Sequence, residues 1–173
     1  MLKLAATLLL ILGGTGIGYA RSREITEWEK DLEILLQIFV FLKGEIRCSN
    51  SSLPDAFREI SGKISPPFRE ILRDAAKEMK KSDGRTLEEI LKSCGEEKFR
   101  GKCRAEREMV RILQCLGSRL GYLDREMQIC QIELLETETE ERRRKVREKL
   151  PEQKKLCQTL GVLGGILLAV LFW

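Results

Sequence analysis

Two stretches of this chain carry no charged side chain, and they lie at its two ends. Residues 156–173 place Leu160, Leu163, Ile166, Leu167, Val170 and Phe172 on every side of a helix, whereas a surface helix is apolar along one stripe. As a helix this stretch extends roughly 27 Å, close to the thickness of a bilayer's hydrocarbon core. Residues 4–20 form a second uncharged run of roughly 25 Å. Between the two runs the pattern turns amphipathic. The predicted organisation is an N-terminal membrane helix (1–20), a helical domain (21–135), a charged helical strut (136–155) and a C-terminal membrane helix (156–173).

Within the polar part, apolar residues recur at spacings of three and four, the signature of helices packed on one face. Thr26 and Glu29 have the spacing of a capping box, which predicts that the first soluble helix opens there. Trp28, Leu32, Leu35, Leu36, Phe39, Leu42 and Ile46 form its buried stripe, and Ile34, Ile38, Val40 and Phe41 widen it. Ser52-Leu53-Pro54-Asp55 starts a second helix, with the serine hydroxyl accepting a free amide and proline tolerated in the first turn. Ser65-Pro66-Pro67-Phe68 starts a third that runs to about Lys80, and Ser82-Asp83-Gly84 closes it. Thr86 with Glu89 caps a short fourth helix expected to end at Cys94-Gly95.

A fifth helix is expected from about Glu97 to Leu120, with Met109, Ile112, Leu113, Leu116 and Leu120 on one side. Gly121 is its expected left-handed C-cap and Asp124 the start of the next helix. So short a loop predicts antiparallel neighbours. Ile129, Ile132 and Leu135, with Met127, Cys130 and Leu134 on an adjacent strip, supply the return packing. Beyond Glu136 the stripe fades into i,i+4 pairs such as Glu138–Arg142, Glu140–Arg144 and Glu141–Lys145. Pro151 is expected to break or kink this segment, or to begin a new helix. The fold class is therefore all-α: five to six helices between two membrane helices.

Composition changes this picture little. The polar part holds 30 basic and 27 acidic side chains, a net of +3, and a pI near 8.7 reflects no strong basic field. Nucleic acid is not an expected partner. The run Arg142-Arg143-Arg144-Lys145-Val146-Arg147 reads as a solvated helix face, because glutamates are interleaved nearby and no aromatic residue is. There is no histidine, which removes His-based acid–base catalysis, His-activated nucleophiles and His metal ligands together. With no nucleophile motif or phosphate loop either, no catalytic residue, metal ligand or cofactor site is expected. Six cysteines without a C-x-x-C pair read as free thiols on helices rather than as a disulfide framework.

Residues 1–20 also fit a signal peptide, with Lys3, an apolar region and a small-x-small site at Gly18-Tyr19-Ala20. Cleavage would give an exported helical binding protein with three disulfides. A retained anchor is favoured, because export leaves Arg21 and Arg23 directly after the apolar run. Arg147, Lys149, Lys154 and Lys155 precede the second run, so the positive-inside rule puts the polar domain in the cytoplasm. Both termini then lie outside and the two anchors run antiparallel. Each carries small residues at a spacing of four, Gly14 with Gly18 and Gly161 with Gly165, which lets helix backbones approach closely in lipid.

Several of these features together resemble the stage III sporulation protein AB family. The helix start at Leu53-Pro54-Asp55-Ala56, the series Gly117, Leu120, Gly121, Asp124 and Gln128, the charged helix after it, and Leu160-Gly161-Val162-Leu163-Gly164-Gly165 before an apolar end carry the resemblance. It implies a membrane component of the channel complex between mother cell and forespore, in the outer forespore membrane. It further implies a helical cytoplasmic domain similar to those of type II secretion platform proteins, contacts with other channel-complex subunits, and docking of a secretion-type ATPase on the mother-cell side.

Overall fold

A computed structural model describes the backbone of residues 2–48, 52–81, 83–100, 103–121 and 124–171. Side chains are described for 16, 19–20, 22–48, 52–81, 83–100, 107–121, 124–152, 155–156, 159–160 and 163–164. The described residues form six helices and no strand: α1 (Leu2–Cys48), α2 (Leu53–Ser61), α3 (Phe68–Lys80), α4 (Leu87–Phe99), α5 (Cys103–Leu120) and α6 (Arg125–Leu171). The chain divides into two compact units. One comprises residues 1–30 and 142–173, the other residues 31–141.

The second unit holds the core. Leu32, Leu35, Ile38, Phe39 and Leu42 on α1 are fully buried, and so are Phe57 and Ile60 on α2, Ile71 and Leu72 on α3, and Phe99 on α4. Residues of this kind contribute about 1.5–3 kcal/mol each on burial. Phe68 and Phe99 meet edge to face with ring centroids 5.4 Å apart. Met109, Leu113, Leu116 and Leu120 on α5 close the core as the periodicity predicts, with Ile132 and Leu135 on α6. The strip beside them does not. Met127, Cys130 and Leu134 are exposed, as are Val40 and Phe41 on α1. The core needs only the Ile132–Leu135 side of α6.

Helix boundaries and caps depart from expectation at several points, and α5 begins at Cys103 rather than about Glu97, since α4 runs on to Phe99. Thr26 does not open a helix: α1 runs through it, and its Oγ1 donates to the Ser22 carbonyl four residues back at 3.1 Å. A hydroxyl with no chain break beside it bonds to its own helix in this way. Ser52 is the N-cap of α2, but its Oγ donates to Asp55 Oδ2 at 2.6 Å and accepts no amide. Gly95 does not end α4, which continues to Phe99, because the glycine is spent on close packing against Val110 and Leu113. Gly121 is not left-handed; among the described glycines only Gly84 has positive φ, at +80°. Finally, α6 neither breaks nor restarts at Pro151 but continues through it. One missing amide costs about 3 kcal/mol, which a 47-residue helix absorbs.

The starts of α4 and α6 are as predicted. Thr86 and Glu89 form a complete capping box, with Glu89 N donating to Thr86 Oγ1 at 3.2 Å and Thr86 N to Glu89 Oε2 at 2.9 Å. Asp124 Oδ1 accepts from Met127 N at 2.8 Å at the start of α6. Among the described residues no helix is long and apolar enough to cross a membrane. Most side chains of the two uncharged runs, including the surroundings of Gly14, Gly18, Gly161 and Gly165, lie outside the described residues.

Candidate functional site

The sequence directs attention to the corner between α5 and α6, where Gly117, Leu120, Gly121, Asp124 and Gln128 fall together. Gly117 is buried, and a Cβ there would come within 2.6 Å of Glu88 Cα and 2.8 Å of the Leu87 carbonyl oxygen. The last turns of α5 thus press directly on the first turn of α4. Gln114, one turn earlier, donates from Nε2 to Glu88 Oε1 at 2.7 Å and fixes the same contact from the side. Leu120 is buried. Gln128 Nε2 donates to the Leu120 carbonyl oxygen at 3.1 Å, satisfying an acceptor that the end of α5 leaves open. Asp124 is used on Met127 N. Gly121 is exposed and has only the Gly117 carbonyl near, at 3.5 Å.

These residues hold a corner together. The hydrogen bonds of Gln114 to Glu88 and of Gln128 to Leu120, with the close approach at Gly117, set the mutual placement of α4, α5 and the start of α6. Glycine as a close-packing residue was the missed signal: Gly95 and Gly117 both face the α4–α5 contact.

A model of the stage III sporulation protein AB family matches residues 3–173. The chain belongs to that family. Neither a curated protein nor a solved structure matches it. Membership gives the chain a role in sporulation and covers both uncharged ends as well as the helical units.

The charged side chains of this family member pair with one another at several corners of the described structure. Lys80 Nζ sits 2.8 Å from Asp55 Oδ1, and with Ser52 it holds the Asp55 carboxyl below its ordinary range. Lys81 and Arg85 lower Glu78 in the same way, and Arg85 at 2.6 Å lowers Asp83. Lys98, raised by its hydrogen bond to Glu70, bridges α4 to Glu70 and Asp74 on α3 at 3.3 and 3.7 Å. On the other side Lys43 pairs with Glu136, and Arg119 Nη2 reaches Glu138 at 3.3 Å. The Nη1 of Arg119 is buried with no hydrogen-bond partner among the described residues.

Cys48, Cys94, Cys115 and Cys130 are free thiols. Burial, with Asp74 nearby, pushes the Cys94 thiol up and keeps it protonated at neutral pH. Among the described residues no group of His, Cys, Asp or Glu could hold a metal ion.

Proposed function

We propose that this chain is a non-enzymatic membrane scaffold, a platform subunit of the sporulation channel complex. Its two uncharged ends cross the membrane and hold the helical domain of residues 31–141 on the cytoplasmic, mother-cell face of the outer forespore membrane. There the domain docks the secretion-type ATPase of the complex and other channel subunits. The observation that carries this reading is the family match extending over both uncharged ends. An internally bonded corner motif supports it, since that suits a rigid docking body. A likeness to type II secretion platform domains belongs to the same proposal and rests on the family resemblance.

The test is a pull-down of the full-length chain in mild detergent against the purified ATPase, with and without nucleotide. The reading predicts stoichiometric capture. A clean absence of capture in both nucleotide states overturns the ATPase contact.

A further inference from the structure

The near-neutral charge of the chain conceals a division. Residues 1–30 with 142–173 carry 12 Lys and Arg against 5 Asp and Glu, whereas residues 31–141 carry 19 against 22. One unit is therefore +7 and the other −3. Most of the excess lies on α6 between residues 142 and 155, which hold eight basic and two acidic side chains. Arg143, Val146 and Leu150 are half-buried there, at spacings of three and four, and Arg143 Nε is used on Glu29 at 3.2 Å. Arg144, Lys145, Arg147, Lys149 and Lys155 are exposed. Arg144 lies 3.9 Å from Glu148, but both side chains are 68% exposed, and such a pair holds its partners loosely.

The same helix then enters the uncharged run that starts at Leu156. We infer that the membrane-proximal basic face of α6 between Lys149 and Lys155 binds the headgroups of anionic phospholipids at the membrane surface. The inference rests on the membrane reading above and adds the lipid class that the anchor selects. Basic residues beside a membrane helix are attracted to acidic lipid, and the attraction fades within a screening length of about 8 Å at physiological salt. Along the helix axis Lys155 lies ~1.5 Å from Leu156, Lys149 ~10 Å and Arg144 ~18 Å. Lys155 therefore supplies most of the attraction, Lys149 less, and Arg144 and Lys145 little. Nucleic acid fits this face less well, since residues 142–155 offer no aromatic ring for a base to stack on.

The experiment uses the full-length chain in mild detergent, exposed to phosphatidylglycerol or phosphatidylcholine, with retained lipids counted by native mass spectrometry. Phosphatidylglycerol is expected to be retained preferentially, less so as salt rises. Lys149→Glu with Lys155→Glu lowers that preference about tenfold or more, and Arg144→Glu with Lys145→Glu less than about threefold. Circular dichroism confirms that each variant keeps its helical content. Equal retention of the two lipids overturns the inference, as does a distal pair that matters as much as the proximal one. Overturning it too would be loss of co-purifying nucleic acid, with no lipid preference, in the proximal variant. An alkaline carbonate wash of membranes from expressing cells separates the two readings. Resistance to the wash without lipid preference defeats this inference alone; release by the wash with the preference intact defeats the anchor and leaves a peripheral lipid-binding face.

Discussion

Gly117 has no room for a side chain. With Glu88 Cα 2.6 Å from where a Cβ would stand, and backbone rather than a flexible side chain in the way, Gly117→Ala must push α5 off α4. We expect a loss of about 1–3 kcal/mol, read as a lower thermal midpoint, while Gly121→Ala stays within about 0.5 kcal/mol. Gly117 stands three residues before the end of α5 and Gly121 directly after it, and nothing local marks the first as the tighter position. What separates them is Glu88, some thirty positions earlier, and a contact of that range leaves no local trace. Asp55, Glu78 and Asp83 are lowered by basic neighbours, so their contribution is present above the ordinary carboxylate range and lost as pH falls through their folded values. The thermal midpoint should accordingly be flat near neutrality and fall only in acid. Because these groups are solvated, added salt should shrink that fall. A midpoint that drops already between neutral and mildly acidic pH would contradict this origin.

Helix starts show which local signals can be trusted. Thr86–Glu89 and Thr26–Glu29 share one spacing, yet only the first is a cap. Thr86 follows Gly84, whose positive φ breaks the chain, whereas nothing between Ser22 and Thr26 interrupts α1. The expected contrast is a loss of about 1 kcal/mol for Thr86→Ala and a change of a few tenths, toward stability, for Thr26→Ala; denaturant midpoints of the two variants decide it. The buried faces of α1 and α5 were legible because their periodicity is strong. The exposed strip of Met127 and Leu134 was not, because periodicity says which residues share a face and not how wide a face the core requires.

For the chain as a whole, the all-helical class and the family were readable from the uncharged ends, the corner motif and the glycine-rich C-terminal run. The separation of charge was not, since it depends on which distant segments form one unit. Residues 1–30 join 142–173 only in three dimensions. The unit of residues 1–30 and 142–173 carries both uncharged ends and the basic excess, and residues 31–141 carry a small acidic excess. The most direct measurement is side-specific cysteine labelling with a membrane-impermeant maleimide. It uses the exposed thiols Cys48 and Cys130 and added cysteines at Glu24 and Lys155. With the chain expressed in the plasma membrane of non-sporulating cells, the account predicts that all four sites stay unlabelled in intact cells and label once the cytoplasmic face is opened. Labelling of Lys155→Cys or Cys130 from outside would contradict it.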